Sequence, residues 1–270
     1  MFQTRKFYTI LFAVGALYVL LVQQFFKNEG RFLFHTPAFS EEIPYSFDTD
    51  FQELNLPINK DINLHGLWFK HQNAKALVLL FPDSDVDFRD MEIEKNLYFN
   101  SGFDVLITAY RGTALSSGKP KTENELYSDA QYWYGFAKSQ FQEQQIVIAG
   151  QGIGCPVAAQ LASKHQPRAL ILENPDYSYS QTIKKRFWYL PYAYFTGFPL
   201  NTWKSVRKAS CEIILIQDED EKGKAETINN YLKGNDKIYW KESSAVLPYS
   251  NQTENRDMFK SIFDSFGFME

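Results

Sequence analysis

The chain has only two cysteines in 270 residues, Cys155 and Cys211. That is too few for a disulfide framework or a four-cysteine zinc site. It has no basic run: 28 Lys and Arg stand against 32 Asp and Glu, leaving a net charge of -4 and a pI near 5.7. Phosphate binding needs clustered positive charge, so the balance argues against a nucleic-acid partner. Histidine is scarce too, with His35, His65, His71 and His165 and none after them. There is no internal repeat and no low-complexity segment.

One stretch lacks charge altogether. "FYTILFAVGALYVLLVQQFF", Phe7 to Phe26, follows Arg5 and Lys6 and precedes Lys27. It matches the roughly 20 apolar residues that a membrane-spanning helix needs. A cleaved signal peptide would have a shorter apolar stretch and a small-x-small site, which Gln23-Gln24-Phe25-Phe26 does not offer. The segment therefore reads as an uncleaved single-pass anchor, residues 1–27, with the lipid bilayer as a partner through Phe7–Phe26. A buried core helix fits less well, because the stretch is apolar all round. Arg5, Lys6 and the terminal amine slightly outweigh Lys27 and Arg31 on the other side, which favours the N-terminus inside and the body, residues 28–270, outside the cytoplasm.

The body alternates strand and helix patterns. "INLHGLWFK", "KALVLLFP", "FDVLITAY", "QIVIAG", "ALILENP", "CEIILIQ" and "KIYWKES" read as strands, several of them apolar throughout, as in a sheet covered on both faces. Helical patterns cover Phe88 to Asn100, Glu123 to Phe141, Ile153 to Lys164, Glu226 to Lys233 and Arg256 to Phe266. The alternation predicts a mainly parallel sheet flanked by helices, with antiparallel edge strands from Tyr45 to Ile58. Residues 186–204 break the pattern with the aromatic run "FWYLPYAYFTGFPLNTW", Phe187 to Trp203, and read as a small cap above the carboxyl ends of the strands. Its rings either line a pocket or pack the cap onto the domain.

"IVIAGQGIGCPVAA", Ile146 to Ala159, runs from a strand through a glycine-rich turn into a small-residue helix. In a G-x-S-x-G nucleophile elbow the middle residue is the attacking serine. Here it is Gly152. Together with "RFLFHTP", "LHGLWFK", "DVLITAYRGTALSSGKP", "LYSDAQYWYGF", "LILENPDYS" and "LPYAYF", this turn gives a chain that resembles the membrane-anchored α/β-hydrolases of the serine aminopeptidase-like group. The resemblance implies the α/β-hydrolase fold and a hydrolase of ester, thioester or amide bonds, with a serine, an acid and a histidine in that order.

Each implied position is altered. The nucleophile falls on Gly152, which relieves the backbone strain of the elbow and has nothing to attack with. The base falls near Ala245, in "KESSAVLPYS". The acid falls at Glu221, or at Asp220 with a slip of one, but a carboxylate with no imidazole to orient has no triad role. The oxyanion-hole loop, where relatives carry His-Gly, is Phe81-Pro82-Asp83-Ser84-Asp85. Proline removes an amide donor, and Asp83 and Asp85 put negative charge where an oxyanion would form.

Other residues offer substitutes. Ser84 lies at the end of a strand near the old site but needs a base. Cys155 sits at the start of the elbow helix, where the helix dipole could lower its pKa, or packs there as an inert small residue. Asp83, Asp85, Asp87 and Glu94 have the spacing of a calcium loop, although Phe88 stands where such a loop needs glycine; as an alternative, these acids cap the following helix. The histidines read as surface or helix-end residues. Asp129 and Tyr132 read as packing and hydrogen-bonding positions.

The expectation is a membrane-tethered pseudohydrolase with no cofactor and no metal. It would bind a protein partner or an apolar ligand through Ser84, Gly152, Ile153, Tyr192 and Phe195. The alternative is a divergent hydrolase of acyl esters or peptides.

Overall fold

The computed structural model describes residues 2–34, 45–186, 188–218, 228, 237–241, 257 and 260–264. The continuous apolar runs become strands because a segment buried on both faces needs no polar alternation. β3 (Leu77–Phe81), β4 (Asp104–Thr108) and β6 (Ala169–Glu173) are buried at every position, and β5 (Ile146–Gln151) at all but its last. β7 (Glu212–Asp218) and β8 (Lys237–Lys241) extend the same edge. β1 (Phe51–Pro57) and β2 (Asn63–Phe69) complete an eight-stranded sheet among the described residues, in the order β1-β2-β4-β3-β5-β6-β7-β8. β1, β2 and β4 pair antiparallel and the other pairings are parallel. This is the mainly parallel sheet the sequence predicts.

The Tyr45 to Ile58 segment contributes one edge strand rather than several. Its earlier aromatic residues pack instead of pairing: Phe47 meets Phe69 edge-on at 4.9 Å, and Tyr45 stacks on His65 at 5.7 Å. His65 is therefore not the surface residue the sequence reading expects. It is fully buried on β2, with Nε2 3.3 Å from Glu53, and burial holds its pKa below the usual imidazole value.

Helices cover both faces. α4 (Glu123–Gln140), α5 (Gly154–Ala162) and α8 (Thr202–Val206) close a core containing Leu79, Leu106, Trp133, Ile148, Ala158 and Leu172. On the other face, α3 (Glu92–Phe99) and the helical residues 260–264 cover Val78, Val105, Phe103 and Ile171, with Tyr98 and Phe263 ring to ring at 5.8 Å. Each fully buried Leu, Ile or Val contributes roughly 1.5–3 kcal/mol, so these two layers supply the main driving force. The segment read as one helix from Phe88 splits into a 3₁₀ turn, Phe88–Asp90, and α3. All of Glu226–Lys233 but residue 228 lies outside the described residues, and of Arg256–Phe266 residues 257 and 260–264 are described and helical.

Two features position the site. After β3 the chain moves outward to β4, then crosses back to β5 on the other side of β3. The carboxyl ends of β3 and β5 thus form a topological switch point, where crevices open in such sheets. Above lies the cap, with α6 (Tyr179–Arg186), α7 (Tyr192–Phe195) and the chain leading to α8. It is tied down by Glu123 at the start of α4, whose carboxylate accepts the Leu200 amide at 2.7 Å.

The N-terminal residues form α1 (Phe2–Lys27) and, after Asn28, α2 (Glu29–Leu33). Within Arg5–Lys27 of α1 an 18-residue window has a mean hydropathy of 1.9, and the helix is long and apolar enough to cross a membrane. α2 is docked into the body. Glu29 is 2% exposed, with its carboxylate accepting the Thr196 hydroxyl at 2.6 Å and the Gly197 amide at 2.9 Å. A Cβ at Gly30 would run into the Pro120 carbonyl, so only glycine allows this approach. Phe34 is buried between Tyr110 and Phe198.

Candidate functional site

The strand–turn–helix around Gly152 has the form of an elbow, with glycine at its middle position. β5 leads into Gly152 with φ +50°, and α5 begins two residues later. The turn is fixed by the Gly152 amide donating to Glu173 O at 3.0 Å and by the Cys155 amide donating to Gly152 O at 3.1 Å. The flanking glycines are steric necessities. A Cβ at Gly150 would lie 2.7 Å from Gly154 O and 2.8 Å from the Ala158 Cβ, and one at Gly154 would strike the Phe81 carbonyl. The small residues of "GCPVAA" let α5 lie this close to the sheet.

The loop after β3 enters this turn. Pro82 O accepts the Tyr110 hydroxyl at 2.8 Å, which fixes the loop over the strand ends. The next residue, Asp83, directs its carboxylate into the space a side chain at position 152 would fill; a Cβ there would collide with it. Asp83 Oδ1 accepts the Ser84 amide at 2.7 Å and the Ile153 amide at 3.3 Å.

In this architecture the amide of the residue after the nucleophile is one of the two oxyanion donors. That amide belongs to Ile153, and it is directed at a carboxylate. The acid read from the sequence as repelling an oxyanion therefore acts differently: the Asp83 carboxyl group is itself the acceptor on the donor. Burial raises its pKa above the usual carboxylate value, with Asp85 and Asp176 adding to the effect, while the two amides oppose it.

The substitutes fare as follows. Cys155 is fully buried, with Sγ 3.1 Å from Gly150 O and 3.2 Å from Glu173 O. Burial and the nearby carboxylates of Asp83 and Glu173 push its thiol well above its ordinary pKa. That corrects the idea of a helix-activated thiolate: desolvation outweighs the helix end. Ser84 is half-buried beside Asp83. Asp87 caps the 3₁₀ turn, accepting the Arg89 amide at 2.9 Å and pairing with its guanidinium. Asp83 and Asp87 of the calcium reading thus take separate partners, and among the described residues no three His, Cys, Asp or Glu side chains are grouped to hold a metal ion.

Of the five residues expected to bind a ligand, Ser84, Gly152 and Ile153 meet around Asp83, although the Ile153 side chain is turned into the core. The other two, Tyr192 and Phe195, pack on Phe26 at the end of α1, at 5.6 and 5.9 Å between ring centres. Asp220, Glu221, Ala245 and His35 lie outside the described residues.

The described histidines stand away from the elbow. His65 is on β2, three strand positions from β5, a distance of about 14 Å at the usual strand spacing. His71 is at the opposite edge of the sheet, its amide donating to Asp104 at the start of β4 at 2.8 Å. His165 follows the far end of α5, with Nε2 2.7 Å from Gln131 Oε1.

Asp129 is buried and accepts two hydrogen bonds of 2.7 Å from Arg111, as a packing position would. Tyr132, read the same way, is 47% exposed, because it lies on the outer side of α4. Sequence reasoning missed Glu29 and Phe34, since nothing local marks a glutamate just after an apolar helix as a buried acceptor.

No family model matches the chain. It is 27% identical over 176 residues to the lysophosphatidylserine lipase ABHD12 of Danio rerio, covering 57% of this chain and 46% of that protein. It is also 35% identical over 106 residues to the alpha/beta hydrolase domain-containing protein aho-3 of Caenorhabditis elegans, covering 38% of this chain and 32% of that one. The chain thus spans less than half the length of either relative. Among solved structures, an alpha-beta hydrolase from Vibrio vulnificus superposes with a TM-score of 0.63 at 19% identity, covering 81% of each chain. The Pyrococcus furiosus esterase Pf2001 gives 0.60 at 16% identity, covering 81% of this chain and 90% of its own. The chain has the α/β-hydrolase fold, with one N-terminal apolar helix long enough to span a membrane.

Proposed function

We propose that this chain is a membrane-anchored pseudohydrolase, a protein that keeps the α/β-hydrolase fold for binding or scaffolding and carries out no acyl transfer. One observation carries the reading: the place of a nucleophile side chain is taken by the Asp83 carboxylate, which also holds the Ile153 amide. Acyl transfer needs a nucleophile, a base to accept its proton and free donors for the oxyanion. At this elbow the first is absent, the third is engaged by an anion, and the position implied for the second falls on Ala245. The bound species would be a protein partner or an apolar ligand at the cap. α1 would anchor the chain, with the body outside the cytoplasm.

A divergent hydrolase is the second reading, favoured by the names of the relatives, a lysophosphatidylserine lipase and an esterase. The two are separated by treating the full chain, in detergent micelles, with a fluorophosphonate probe and with short-chain acyl esters. The proposal expects no label and no hydrolysis above buffer. Saturable turnover that Ser84→Ala or Cys155→Ala abolishes would establish the second reading instead.

A further inference from the structure

We propose that the tip of the cap, Trp188 to Leu190, is a second membrane-contacting element that sits in the bilayer beside α1. The inference rests on reading α1 as the membrane span. The tip reaches well along that helix: the Tyr18 hydroxyl donates to the Tyr189 carbonyl at 2.7 Å. Tyr18 lies nine residues before Lys27, about 13 Å along the helix axis at 1.5 Å per residue.

Two positions of the bilayer are possible, and both put the tip in lipid. If the boundary on the body side lies at Lys27, the tip is about 13 Å below it. If instead the last turns of α1 stand in the body, the boundary moves toward Tyr18. The packing supports this second position, since Val22 is buried and Phe25 and Phe26 are half-buried, whereas Phe12, Leu20 and Leu21 are 61–79% exposed. The open stretch from Phe7 to Leu21 then spans about 22 Å, short of the ~30 Å hydrocarbon core, so the core extends to the level of the tip.

The chemistry of the tip fits that level. Trp188 is 82% exposed and Tyr189 54%, and these two residue types concentrate where hydrocarbon meets headgroup. The Tyr189 carbonyl has the Tyr18 hydroxyl as a donor, which an apolar surrounding requires of any backbone group. Lys184 is exposed on α6, four residues before Trp188, where a cation suits the anionic surface of the headgroups.

The tip is also held at a fixed height. Glu29 joins the exit of the anchor to Thr196 and Gly197 of the cap, and Phe26 packs on Tyr192 and Phe195. Anchor and cap thus move as one piece, and the surface that covers the exposed rings is the bilayer itself.

The test uses the full chain reconstituted into phosphatidylcholine nanodiscs, with acyl chains brominated either near the glycerol end or near the methyl end. Bromine quenches tryptophan on contact. Of the five tryptophans none lies on α1, Trp68 and Trp133 are buried in the body, and the emission of Trp203 and Trp240 is common to wild type and variant, so the difference between the two proteins reports Trp188 alone. Trp188→Phe removes the reporter at an exposed site and leaves the fold intact. The expected result is a bromine-dependent loss of emission, greater for bromine near the glycerol end, that the variant no longer shows. Equal quenching of both proteins, with the chain retained in the discs, overturns the proposal while leaving the anchor reading in place, and leaves the rings to a protein surface. A chain that does not stay in the discs overturns both.

Discussion

The Asp83 carboxylate stands in the space a side chain at Gly152 would occupy, and its Oδ1 accepts the Ile153 amide at 3.3 Å. These two residues come from the loops after β3 and β5, which the strand order makes neighbours. A turn of the kind that stabilises a transient negative charge thus faces a carboxyl group of the chain itself.

Restoring the serine alone will not restore the site. In Gly152→Ser the new Cβ collides with Asp83 at a backbone with φ +50°, so a loss of about 2–4 kcal/mol is expected. The double variant with Asp83→Gly should recover much of it. Melting temperatures of the three proteins check this, and a single variant as stable as wild type would show that Asp83 does not fill the position.

The charge on Asp83 has a pH signature. Its folded pKa is raised by burial, so the folded state holds the proton more tightly than the unfolded chain. Its stabilising contribution is complete below the usual carboxylate value and is lost as pH rises through the folded pKa. Asp83→Asn keeps an acceptor for the two amides and does not titrate. Its stability should therefore gain on wild type as pH rises from about 4 to 7, read from paired thermal melts. Parallel curves would contradict the assignment.

Cys155 should be inert and Cys211 the thiol that reacts. The first is fully buried with its pKa raised by desolvation, and the second is half-buried. Alkylation of the native protein, followed by peptide mass spectrometry, should modify Cys155 only after denaturant is added. Prompt native labelling of Cys155 would revive it as a candidate nucleophile.

Removing the acceptor at the anchor exit should loosen the cap. Glu29→Ala leaves the half-buried Gly197 amide without its partner and costs about 1–2 kcal/mol, whereas Glu29→Gln, which keeps one acceptor oxygen, costs less. Melting and limited proteolysis of the cap in the full chain measure both. Unchanged cleavage in the alanine variant would mean that the junction does not hold the cap.

The histidine readings show where sequence fails. His165 ends a helix as its spacing indicates, yet His65 is buried, because Tyr45 from a distant segment covers it. Likewise Asp83 was legible as an acid in the oxyanion loop, but its contact with Gly152 depends on two crossovers of the chain.

The amino-acid sequence by itself determined the apolar helix, the parallel strands and the glycine-rich turn around Gly152, because these follow from local runs of residue type and from the spacing of glycines. Tertiary structure alone decided what stands against Gly152 and where the 186–204 segment packs. Asp83 meets Ile153 across 70 positions, and Glu29 meets Thr196 across 167. Contacts of that range are fixed by the order in which strands pack, which no local pattern encodes.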